Sequence, residues 1–186
     1  MYRTNKAKLY YLYMLSDGEA SAREKWLFTT ICKELNIDSE EKESIIKECE
    51  NTPLDGIFDK IKELVGDPVK ENKSFSSFYS IMSFFDDSED YATILWNLIN
   101  LGYADKKYTN KEREIVDFLK EHWKVKEDLY QEMIDVAETC LALEQQKKWV
   151  ENLEESDYKI EKAKQIKNDI KITRDSIKLT LAELKF

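Results

Sequence analysis

Ser16-Asp17-Gly18-Glu19-Ala20-Ser21-Ala22-Arg23-Glu24, followed by Leu27, Phe28, Ile31, Cys32 and Leu35, is the stretch that decides the fold. Ser21 and Glu24 form a Ser-x-x-Glu capping box, in which each side chain satisfies a backbone N–H at the opening of a helix. The apolar residues behind it recur at helical spacing. The same grammar returns 88 residues later in Tyr103-Ala104-Asp105-Lys106-Lys107-Tyr108-Thr109-Asn110-Lys111-Glu112. Without a gap, Asp17 aligns with Asp105, Ser21 with Thr109, Glu24 with Glu112 and Lys25 with Arg113. Leu27, Phe28, Ile31 and Ile37 align with Ile115, Val116, Leu119 and Val125. Each copy reads apolar helix, Asp turn, capping box, amphipathic helix. Two copies predict a quasi-symmetric bundle of two helical hairpins, because a solenoid needs three or more units.

The rest of the chain agrees with an all-α reading. It holds only 4 Gly and 2 Pro in 186 residues, too few turn formers for a sandwich or barrel of short strands. Charged residues make up 36% and hydrophobic residues 42%, which predicts an ordered core under charged outer faces. Asp38 or Ser39 caps a helix bearing Ile45, Ile46 and Cys49. Thr52-Pro53 reads as a cap with Pro at the first helical position, and Gly66 as the stop of that helix. Residues 66–76 read as a loop, followed by an aromatic block from Phe75 to Phe85. Asp86-Asp87-Ser88 then caps a helix carrying Tyr91, Ile94, Leu95 and Leu98.

Beyond Glu127 no strong breaker appears until a pause at Glu155-Ser156-Asp157. The last stretch sets Ala163, Ile166, Ile170, Thr173, Ile177, Thr180 and Leu184 in one narrow stripe. That stripe serves either an arm folded back on its own domain or the seam of a homodimer. The expected organisation is a bundle over residues 1–145 and a C-terminal helical arm over residues 146–186.

Charge and composition remove several function classes. The net charge of −9 repels phosphate backbones and speaks against nucleic acid as a partner. Residues 155–186 carry 8 Lys/Arg against 6 Asp/Glu, so the acidity resides in the first 154 residues. No apolar run approaches a membrane span. Leu9 to Leu15 mimics a signal peptide but is Tyr-rich and runs into Ser16-Asp17-Gly18, so it reads as a core helix of a cytoplasmic protein. Cys32, Cys49 and Cys140 are scattered, with no Cys-x-x-Cys pair, and fit a reducing compartment. His122 is the only histidine, and no nucleophile elbow, P-loop, dinucleotide fingerprint or His-Glu-x-x-His is present. The expectation is a binding module, not an enzyme.

The paired Asp turns and capping acids resemble those of the TerB-like family, named after a tellurite-resistance protein. The resemblance covers residues 5–145 in outline and rests on the two turns. It implies an all-α bundle, a role in tellurite and chemical-stress resistance, and divalent-metal binding at acidic clusters. Residue by residue it picks out Asp17, Glu24, Asp105 and Glu112. The second turn departs from the pattern, since Lys106 and Lys107 stand where the first has Gly18 and Glu19.

The residues admit two readings of these acids. Asp17, Glu19 and Glu24 cluster within one turn, and quasi-symmetry would bring Asp105 and Glu112 near, an oxygen-rich set suited to Ca²⁺ or Mg²⁺. Alternatively Glu24 and Glu112 only close capping boxes, and Asp17 and Asp105 only shape turns. The expected function is an acidic interaction or scaffold module that presents these turns to a divalent cation or a protein partner. Its alternatives are a metal-dependent hydrolase using the same acids and a purely structural oligomer.

Overall fold

The computed structural model describes residues 1–66, 91–104 and 108–183. All regular structure among them is helical, with no strand, in keeping with the scarcity of turn residues. The aromatic block from Phe75 to Phe85, the Asp86-Asp87-Ser88 cap, Asp105 and Leu184 lie outside the described residues. Two units separate, Met1–Val125 and Lys126–Phe186. The helix that follows Val125 pairs with the C-terminal one and so belongs to the second unit.

In the first unit the described helices are α1 (Arg3–Met14), α2 (Ala22–Glu34), α3 (Ser39–Glu50), α4 (Ile57–Val65), α5 (residues 91–102) and α6 (Asn110–His122). The core is built around α1. Every residue from Leu9 to Met14 is buried, which happens only to a helix covered on all sides. α2, α3 and α4 pack against it. Tyr11 stacks at a tilt on Phe28 of α2, with ring centroids 5.1 Å apart, and Asn97 of α5 donates a 3.2 Å hydrogen bond to the Tyr10 hydroxyl. Phe58 of α4 meets Phe118 of α6 edge to face at 5.4 Å.

Local chemistry sets the helix ends. Asp38 is the cap of α3, accepting from the Glu41 N–H at 2.8 Å. Gly66 ends α4 with φ 75°. Pro53 departs from expectation: it leads a 3₁₀ turn, Leu54–Gly56, and the α-helix begins only at Ile57. Its extended backbone, with ψ 145°, explains the delay.

α2 and α6 are built alike at both ends. Each has 13 residues and opens on a complete capping box. Each is followed by a residue in the left-handed region, Asn36 at φ 55° and Lys124 at φ 53°. The next amide then closes back on the helix, Ile37 N–H donating to Cys32 O at 2.9 Å and Val125 N–H to Lys120 O at 3.0 Å. This is the Schellman closure, which satisfies carbonyls the helix leaves open.

The second unit is an antiparallel hairpin of α7 (Glu127–Glu151) and α8 (Asp157–Glu183). Ser156 accepts from the Lys159 N–H at 3.3 Å, so the predicted pause is a helix start. Two bonds fix the register: Arg174 Nη2 donates to Glu144 at 3.0 Å and Thr180 Oγ1 to Glu132 at 3.1 Å. The narrow stripe supplies the buried Ile166 and Ile177, and α7 supplies Met133, Cys140 and Val150. The apolar stripe thus packs against α7 of the same chain. Among the described residues no helix is long and apolar enough to cross a membrane.

Candidate functional site

The buried charges of the first unit sit at the two capping boxes. Only 4% of Glu24 and 3% of Glu112 is exposed, the lowest values for any charged residue described. Ser21 N–H donates to Glu24 Oε2 at 2.7 Å, and Glu24 N–H to Ser21 Oγ at 3.2 Å. At the second box, Thr109 N–H and Thr109 Oγ1 both donate to Glu112 Oε2, at 2.7 and 2.8 Å. Glu112 Oε1 is left outside the box.

Electrostatics show that the boxes share one neighbourhood. Burial pushes the Glu112 carboxyl up to about 7, against the opposing pull of the Thr109 hydrogen bonds. The negative charges of Asp17 and Glu24 push it further in the same direction. Residues from both halves of the repeat therefore feel one another although 88 to 95 positions apart in the chain. The two helix N-termini partly offset this crowding, since their unpaired N–H groups favour negative charge.

Of the residues singled out in the sequence, Asp17, Glu24 and Glu112 are brought together. Asp17 is exposed and shapes its turn, accepting from the Glu19 N–H at 3.1 Å. Glu19 is exposed and is not among the charges acting on Glu112. Asp105 lies outside the described residues. Among the described residues no three His, Cys, Asp or Glu side chains are grouped so as to hold a metal ion. The donors present are carboxylate oxygens, the chemistry that suits Ca²⁺ or Mg²⁺, but Asp17, Glu24 and Glu112 interact here through charge and not through a shared coordination geometry.

Sequence reasoning missed the aromatic wall next to the second box. Tyr103 and Tyr108 stack with centroids 4.6 Å apart, and the Arg113 guanidinium lies 5.1 Å from the Tyr108 ring. A Cβ on Gly102 would collide with the Tyr13 hydroxyl and lie 2.6 Å from the Tyr108 ring. The signal was available as two tyrosines and a glycine flanking a short loop, but nothing local distinguishes them from ordinary turn residues.

The remaining reactive side chains are packed. Cys32, Cys49 and Cys140 are free and buried. Burial pushes the Cys32 thiol up to about 11 and the Cys49 thiol up to about 12, and raises Cys140 as well. Thiols held protonated are poor nucleophiles. His122, in the last turn of α6, packs its ring 5.4 Å from that of Phe118. No protein-family model, no curated protein and no solved structure matches this chain.

Proposed function

We propose that this chain is a non-catalytic binding module of TerB-like layout, two related helical hairpins whose acidic turns present negative charge to a cation. The observation that carries the reading is the Glu112 carboxyl, raised to about 7 by burial first and further by the charges of Asp17 and Glu24. Like charges that act on one another are relieved by a counter-charge. A divalent ion supplies it most compactly, with Asp105 of the second turn as a further oxygen donor. A basic segment of a protein partner supplies it in the alternative form. The resemblance to TerB-like proteins favours the divalent ion and a stress-response setting. The protonated, buried cysteines and the packed His122 support binding over nucleophilic chemistry.

The test is calorimetric titration of the metal-stripped full chain with Ca²⁺, Mg²⁺, Mn²⁺ and Zn²⁺, beside the Asp17→Asn/Asp105→Asn variant. These two substitutions leave both capping boxes intact. The expected result is saturable binding in the native chain that the variant loses. Binding no tighter than about millimolar, roughly −4 kcal/mol, returns all four acids to caps and turns and ends the proposal.

A further inference from the structure

Four lysines on the outer side of α8 are left without a counter-charge. Lys164, Lys167, Lys171 and Lys178 are all exposed and lie along one flank of the helix. Among the described residues none of them forms an ion pair. Elsewhere in the hairpin Lys147 pairs with Glu151, Lys159 with Glu155 and Arg174 with Glu144. Acids are within reach in sequence. Glu161 stands three positions before Lys164, and Asp175 stands four after Lys171 and three before Lys178, yet neither takes a lysine. Residues 163–182 carry five Lys/Arg against two Asp, a local net of +3 in a chain of net charge −9.

Aliphatic side chains stand among the same lysines. Ile160 is 62% exposed, Ile172 60% and Leu179 66%, while Ile166, Ile177 and Leu181 of the same helix are buried. Ile160 lies four positions before Lys164, on the lysine flank. Ile172 and Leu179 each follow a lysine by one residue, so they form a second row about 100° around the helix from Lys171 and Lys178. The outer face is therefore basic and apolar at once over about 28 Å of helix, at ~1.5 Å per residue. Lysines that reach outward past exposed aliphatic side chains are the pattern of a helix lying at a lipid–water boundary. We infer that α8 is a membrane-surface element: its outer face lies along a bilayer rich in anionic lipid, with the four lysines on the headgroups and Ile160, Ile172 and Leu179 dipping beneath them.

Other anionic occupants fit less well. A nucleic acid or an acidic polypeptide satisfies the lysines but has no use for the exposed aliphatic row between them. An anionic bilayer satisfies both, since each Lys near its surface gains from the surface potential and each aliphatic side chain gains from leaving water. The acidity of the whole chain does not forbid the contact. Salt screens charges that stand more than about 8 Å from the lipid, so the face that touches decides. That face belongs to α8, apart from the acidic turns, so this inference does not rest on the cation-binding reading.

The test is flotation of the full chain with vesicles rich in phosphatidylserine, beside vesicles of phosphatidylcholine alone, at low and at high salt. Chelator is present throughout, so that no divalent ion bridges the acidic turns to the lipid. Binding is expected to the phosphatidylserine vesicles only, and to weaken with salt. Lys171→Glu/Lys178→Glu is expected to weaken it about tenfold or more, and Lys164→Gln/Lys167→Gln severalfold. Ile172→Gln/Leu179→Gln, which leaves every charge in place, is also expected to weaken it severalfold. All six substitutions fall at exposed positions, and circular dichroism checks that helicity is unchanged. A native chain that does not float with phosphatidylserine at low salt overturns the inference. So does equal binding to phosphatidylcholine, or lysine variants that are fully helical and bind as the native chain does. Binding that the Ile172/Leu179 variant retains in full, and that polyglutamate competes away, assigns the lysines to an acidic polypeptide and likewise overturns it.

Discussion

Replacing Glu112 with Gln isolates the electrostatic tension at the paired caps. Gln keeps the capping box, because its carbonyl oxygen can accept from Thr109 as Glu112 Oε2 does. It removes the charge. The carboxyl rises from 4.5 in the unfolded chain to about 7 in the fold. Below pH 4.5 both states hold the proton and Glu112 has no pH-dependent effect. As pH rises toward 7, the unfolded chain has released a proton that the folded chain still keeps, so stability falls with rising pH. Above about 7 the loss is complete.

At about 1.4 kcal/mol per unit of pKa, the full loss has an upper limit of about 3 kcal/mol. The pull of the Thr109 hydrogen bonds on the charged form is already contained in the value of about 7. Glu112→Gln is therefore expected to be about 1–3 kcal/mol more stable than the native chain at pH 8 and no more stable at pH 4.5. Urea denaturation at a series of pH values, in chelator, reads this difference from the midpoints. A Gln variant less stable at pH 8, or a native profile with no downward slope between pH 5 and 7, refutes the reasoning. It would show that the burial of Glu112 is already compensated. Adding the divalent ion found by titration should remove the downward slope in the native chain and leave the variant unaffected.

Three further outcomes follow from the same structure. Lys124→Gly should stabilise the chain by about 1 kcal/mol, because Lys124 holds φ 53° and only glycine adopts that region without a Cβ penalty; thermal melting checks it, and a lower melting temperature would contradict it. Gly102→Ala should destabilise by about 1–3 kcal/mol, since its Cβ collides with the Tyr13 hydroxyl and the Tyr108 ring; a neutral change in urea midpoint would show that the aromatic wall moves freely. Cys32 and Cys49, buried and pushed up to about 11 and 12, should resist a thiol reagent at pH 8 until urea unfolds the chain; labelling of the native chain at the rate of a free thiol would contradict their packing.

Much of the architecture is legible in the chain alone, for local reasons. A Ser or Thr three positions before a Glu satisfies its own helix terminus, so both capping boxes, the Asp38 cap, the Gly66 stop and the Ser156 restart are readable from neighbours in sequence. The 88-residue offset is likewise a property of the string. The composition speaks against a sandwich or barrel of short strands because turn residues are scarce, with only 4 Gly and 2 Pro. Pro53 leads a 3₁₀ turn where an α-helix is expected, because local grammar does not weigh the two against each other when both accept a proline at the start.

What the string alone left open was every pairing between segments. The narrow stripe of α8 has the same period whether its partner is α7, the body or a second chain, and only packing assigns it to α7. Glu112 is an ordinary capping acid in sequence; its burial and the charges of Asp17 and Glu24 make it anomalous, and both depend on how distant segments meet. Short-range hydrogen bonding and periodicity are written in neighbouring residues, whereas burial and Coulomb interaction depend on distance in space, and that distance belongs to the tertiary structure.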